Sequence, residues 1–186
     1  ALSRTLRMKE LYVGAGFSMG RGREGTTDQL RDLAEREGFT LRVVEPLLED
    51  GAPISSTRIR NLLMEGRVRD AATLLGRPYA LGGTVSSGAQ RGRSLGFRTA
   101  NLPVDPTRAV PRDGVYAVWA VTADGRRGAV ANIGVRPSFD AGERLLEVHV
   151  LDYAGDLYGA EMTVEFAEWL RPEQRFQDPA DLVAQI

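Results

Sequence analysis

The apolar residues of this chain change period near Arg77 to Ala80, and that change most limits the folds open to it. Downstream, VYAVWAV (115–121), LLEVHVL (145–151) and MTVEFAEWL (162–170) alternate residue by residue, as half-buried strands do. The turn formers PRDG, ADGRRG and YAGD separate them, a spacing that predicts an antiparallel β-barrel or sandwich over 77–186. A final helix is expected from about Pro179. Tyr116, Trp119, Phe166 and Trp169 stand at strand spacing and are read as core.

Upstream, residues 1–76 read as α/β. Leu11 to Val13 forms a short strand running into the glycine-rich turn GAGFSMGRG. A helix over Thr27 to Glu37 presents Leu30, Leu33 and Ala34 on one face and stops at Gly38. TLRVVEP is a second strand. ISSTRIRNLLMEG then opens a helix capped by Ser55 or Ser56, and another helix follows from Val68 to Leu75, ended by Gly76. Strand–helix–strand–helix–helix is part of a doubly wound α/β sheet.

Composition narrows the chemistry. With 42% hydrophobic and 26% charged residues and a net charge of −1, nothing calls for nucleic acid as a partner. No apolar run approaches a membrane span, which points to the cytoplasm. There is no cysteine, a single lysine (Lys9) and a single histidine (His149). Thiolate catalysis, a Walker-type Gly-Lys-Ser/Thr loop and paired-histidine sites are therefore excluded within these residues. Phosphate chemistry would have to use backbone N–H groups, arginines, carboxylates and a hard cation.

The stretch GTVSSGAQRGRSLGFRTAN (83–101) suits such chemistry. Its glycines let backbone N–H groups converge on an anion, Arg91, Arg93 and Arg98 add forked donors, and Thr99 and Asn101 offer neutral oxygens for Mg2+. A plain glycine-rich turn between strands is the competing reading. Ser55, Ser56, Thr57, Arg58 and Arg60 at a helix N-terminus could hold an anion or simply cap a surface helix. Glu147 and His149 share one strand face, with Val148 and Val150 on the other. With the valines in the core, Glu147 faces a cleft, where it could take a proton, or faces solvent. His149 is read as a structural neighbour. Arg171 and Phe176, in LRPEQRF, could rim a planar ligand.

Taken together, LLGRPY, the Gly-x-Val-x-x-Gly stretch, GRSLGFRTAN, DGVYAV, NIGVRPSF, LEVHVLD, LYG and LRPEQRF resemble, in order, the kinase module of bacterial bifunctional riboflavin kinase/FMN adenylyltransferases. The resemblance covers 77–186 and implies a compact antiparallel barrel that phosphorylates riboflavin with ATP and Mg2+, giving FMN and ADP. It implies that Thr99 and Asn101 bind Mg2+ and the ATP phosphates, that Gly88 and Arg93 belong to the loop over the nucleotide, and that Glu147 is the catalytic base. Two positions depart from the family's pattern: Arg98 replaces the usual proline, and Ser138 a more usual threonine. Residues 1–76 resemble the end of the adenylyltransferase domain, through ISSTRIR and its sequel. That domain's opening strand and paired-histidine motif are missing, and Gly16 stands where an aspartate is usual. The resemblance thus implies a truncated, nucleotidylyltransferase-like segment beside an intact kinase domain. FMN adenylylation and a non-catalytic flavin- or nucleotide-binding module are the alternative functions.

Overall fold

The computed structural model describes residues 5, 7–86, 99–135 and 144–174. The chain divides into two compact units, 1–54 and 55–186.

In the first unit, strands β1 (Glu10–Gly14) and β4 (Thr40–Val44) pair in parallel, connected through helix α1 (Thr27–Glu37). The sequence stops that helix where expected: Gly38 takes a left-handed conformation (φ 74°) and its N–H bonds the Ala34 carbonyl. Leu30 and Ala34 are buried, whereas Leu33, expected on the same face, is exposed. The stretch GAGFSMGRG, read as a glycine-rich turn, contributes the short β2 (Ser18–Met19), which pairs antiparallel with β3 (Gly25–Thr26). A second short hairpin joins β5 (Leu48–Glu49) to β6 (Ala52–Pro53).

The second unit opens with helices α2 (Ser56–Met64) and α3 (Val68–Leu75). Ser55 caps α2, its hydroxyl accepting the Arg58 N–H at 3.2 Å. Six strands follow: β7 (Ala80–Thr84), β8 (Ala100–Pro103), β9 (Gly114–Thr122), β10 (Gly125–Val135), β11 (Arg144–Val150) and β12 (Glu161–Arg171). They form one antiparallel sheet in the order β7-β12-β9-β10-β11-β8. Its two edges meet where Ser86 bridges Asn101, so the sheet curls into a nearly closed barrel. The expected final helix from Pro179 lies outside the described residues.

Alternation decides what fills the barrel. Tyr116, Val118 and Ala120 of β9, Leu146, Val148 and Val150 of β11, and Met162, Val164 and Phe166 of β12 all point inward and are buried. Trp119 does not belong to this core. It is 39% exposed on the outer face, with the Arg126 guanidinium 4.1 Å above its ring. Equal spacing could not distinguish the two faces: Trp119 is an odd-numbered neighbour of even-numbered core residues. Trp169 is half-buried against Gly66 of the helical pair, under the Arg112 guanidinium. A Cβ on Gly66 would come within 3.2 Å of that indole, and its φ of +81° also favours glycine.

Tyr116 carries a pH dependence. Its ring is fully buried, edge-on to Phe166, and its hydroxyl donates to the Arg112 carbonyl at 2.5 Å. Burial, with the Asp113 charge adding to it, pushes the phenol up to about 12 from its usual 10.0. A group whose proton is held more tightly in the folded state stabilises fully below the unfolded value and loses that contribution above it. Stability should therefore fall by about 2 kcal/mol as pH rises from 10 to 12. Denaturant melts across that window should show the loss, and Tyr116→Phe should flatten it.

Candidate active site

On the outer face of the barrel, strand register builds a row of polar side chains. Glu147 of β11 lies directly across from Asn101 of β8 on one side and from Asn132 of β10 on the other. Directly opposed residues share a face, with Cβ atoms about 5 Å apart, so the carboxylate sits between two amides. The row continues through Val115 of β9 to Arg171 of β12. Because Leu146, Val148 and Val150 occupy the inside of the barrel, the face left to Glu147 is the outer one. There Glu147 is half-buried, while Asn101 is only 3% exposed. The carboxylate is therefore partly covered rather than fully open to solvent.

Each strand supports this arrangement differently. At Asn101 the backbone carbonyl accepts both the Ser86 N–H (2.8 Å) and the Ser86 hydroxyl (3.1 Å), which anchors β8 at the barrel seam. Thr99 immediately precedes β8 and is half-buried. At Asn132 the amide nitrogen donates to the Glu173 carboxylate at 2.9 Å, fixing which end of the amide is nitrogen. Its oxygen is then buried without a hydrogen-bond partner among the described residues. Glu173 reaches this position because Gly134 has no side chain: a Cβ there would lie within 2.8 Å of both carboxylate oxygens.

A small recess of about 60 Å³ opens at the seam between β7 and β8, lined by Leu81, Gly82, Leu102, Pro103, Asp105 and Arg108, among others. The Thr107 hydroxyl and N–H both donate to Asp105 and hold its carboxyl below the usual range. Burial raises the phenol of Tyr79, whose hydroxyl donates to the Ala109 carbonyl.

The structure thus brings Glu147 and Asn101 together, with Thr99 two residues before Asn101, and sets Arg171 at the far end of the same row. Ser55, Ser56, Thr57, Arg58 and Arg60 belong instead to the cap and first turns of α2. Gly88, Arg93 and Phe176, like Arg98 and Ser138, lie outside the described residues. Asn132 and Glu173 were not singled out from the sequence. The signal for Asn132 was its alternation with Ala131 and Ile133, hidden by the glycines and asparagine that make β10 a weak strand on propensity.

Among the described residues there is no cluster of three or more His, Asp or Glu side chains able to hold a metal. Thr99 and Asn101 fit a hard cation only as neutral oxygen donors, with the remaining ligands coming from phosphate oxygens and water, as Mg2+ commonly takes them. Among the same residues no helix is long and apolar enough to cross a membrane.

Comparisons with known proteins agree with this architecture. The riboflavin kinase family model matches residues 75–186, and the FAD synthetase model matches 1–58. The chain is 41% identical over 186 residues to the bifunctional riboflavin kinase/FMN adenylyltransferase of Escherichia coli K12, covering all of this chain and 59% of that protein. The Pseudomonas fluorescens protein of the same name is 43% identical over 173 residues, 92% of this chain and 55% of its own length. The Bacillus subtilis one is 36% identical, covering 97% and 58%. The chain spans somewhat under three-fifths of these relatives. A crystal structure described as a macrolide-efflux protein from Streptococcus pneumoniae superposes with a TM-score of 0.82 at 32% identity, over 92% of this chain and 55% of that one.

Proposed function

Because the chain belongs to the riboflavin kinase family, we propose that it transfers the γ-phosphate of ATP to the 5′-hydroxyl of riboflavin, giving FMN and ADP, in the cytoplasm. The observation that supports this reading is the placement of half-buried Glu147 directly across the sheet from buried Asn101.

The chemistry follows from that placement. Glu147 accepts the proton of the 5′-hydroxyl as its oxygen bonds to the γ-phosphorus, and the bond to the β-phosphate oxygen breaks to release ADP. Thr99 and Asn101 would hold Mg2+, which when bound would supply charge neutralisation on the phosphates. Gly88 and Arg93 contribute N–H groups and charge over the nucleotide, and Arg171 with Phe176 borders the flavin. Most of the catalytic advantage comes from holding the two substrates in line beside a partly covered carboxylate. Residues 77–186 form the kinase module, with 1–76 an adenylyltransferase-like segment in which Ser55 to Arg60, at the start of α2, would contact a nucleotide.

Incubation with riboflavin, ATP and Mg2+, with FMN and FAD separated chromatographically, tests the reading. FMN without FAD is the expected result, since the family's paired-histidine adenylylation motif has no counterpart among these residues. Absence of FMN, with flavin fluorescence still quenched by the protein, would reduce the chain to a binding module.

A further inference from the structure

The geometry points to Asn132 as a substrate-binding residue: its side-chain oxygen accepts a hydrogen bond from a hydroxyl of the ribityl chain, and Glu173 aims it. This rests on the riboflavin kinase reading.

Three observations converge. First, Asn132 is the β10 residue directly opposite Glu147, so its amide lies beside the proposed base. Second, the Asn132 nitrogen is committed to Glu173 at 2.9 Å, which turns the carbonyl end of the planar amide away from that carboxylate. Third, that oxygen is buried and has no hydrogen-bond partner among the described residues. A buried acceptor left unsatisfied is costly and calls for a donor that arrives later. Beside a carboxylate acting on an alcohol, the fitting donor is a neutral hydroxyl. A cation would go to the neighbouring carboxylates, and an anion would be repelled by them. A polyhydroxylated chain carries several such donors, whereas the flavin ring carries none of this kind.

Glu173 acts through Asn132 and is a positioning residue. It occupies the space above Gly134, where any side chain would displace it. Without it the amide could rotate, and the acceptor would no longer be held toward the substrate.

The test compares the binding of riboflavin and of lumiflavin, the same ring system without the ribityl chain, by fluorescence quenching in the presence of ADP and Mg2+. Asn132→Ala should weaken riboflavin about 3- to 10-fold, the usual scale of one neutral hydrogen bond, and leave lumiflavin unchanged. Glu173→Ala should reproduce part of that selective loss. Glu173→Gln, which keeps an acceptor for the Asn132 amide, should restore it. Equal binding of both flavins by wild type and Asn132→Ala overturns the inference, and so does an equal loss of both. If Asn132→Ala does not fold, Glu173→Ala decides by the same criterion. A wild-type protein that makes FMN while the variants show no selectivity removes this inference alone. One that neither binds nor phosphorylates riboflavin removes the kinase reading with it.

Discussion

On the proposed kinase reading, replacing Glu147 by glutamine should lower FMN formation by about 10²- to 10⁴-fold, the usual contribution of a general base. The substitution keeps the shape of the side chain and its place in the β11 register but removes its ability to take a proton. Because Glu147 is half-buried on the outer face, and the core contacts of β11 come from Leu146, Val148 and Val150, the barrel should fold as before. The loss should therefore appear in kcat, with the affinity for riboflavin changed far less. Steady-state assays beside circular dichroism separate these outcomes. An unchanged kcat in a folded Glu147→Gln protein would remove the proposed base.

The largest expected effect on stability is at Phe166. Its ring is 1% exposed, meets Tyr116 edge-on at 5.1 Å and faces Tyr79 at 6.3 Å, so it joins β12 to β9 inside the barrel. Phe166→Ala removes buried apolar surface and leaves a cavity that surrounding strands cannot fill without bending. It should cost about 3–5 kcal/mol, a large part of a typical domain's stability. Trp119→Ala is the informative contrast. Trp119 has the larger side chain, but it is 39% exposed on the outer face and neighbouring side chains can close over its site, so the cost should be smaller, about 1–2 kcal/mol. Urea titrations of the two variants check the ordering, and comparable losses would mean that the outer face packs Trp119 as tightly as the barrel packs Phe166.

Local patterns carried much of the fold. Helix α1 ends at a left-handed glycine, α2 begins at a serine cap, and β9, β11 and β12 alternate, each set by interactions within a few residues along the chain. Strands β7 and β10 were less legible, because Gly82, Gly83, Gly128, Gly134 and Asn132 have weak strand preferences, and so was β8, a four-residue strand carrying Asn101 and Pro103; such residues are accepted only once neighbouring strands supply the hydrogen bonds. The same limit applied to the site. Alternation placed Glu147 opposite the valine face, and the ordered motifs proposed Asn101 as a site residue. Neither could show that the two residues are directly opposed.

The sequence by itself determined the period change near Arg77, the type of most long elements, the family, and the absence of cysteine from any chemistry these residues carry out. Only the tertiary structure decided which strand face is inside, that Trp119 lies outside, and that Asn101, Glu147 and Asn132 form one row with Glu173 bonded to its end. The physical reason is range. Caps, turns and alternation are set by neighbours a few residues apart, whereas register across β8, β11 and β10 is set by pairing between segments separated along the chain, and a slip of one residue would turn Glu147 into the core.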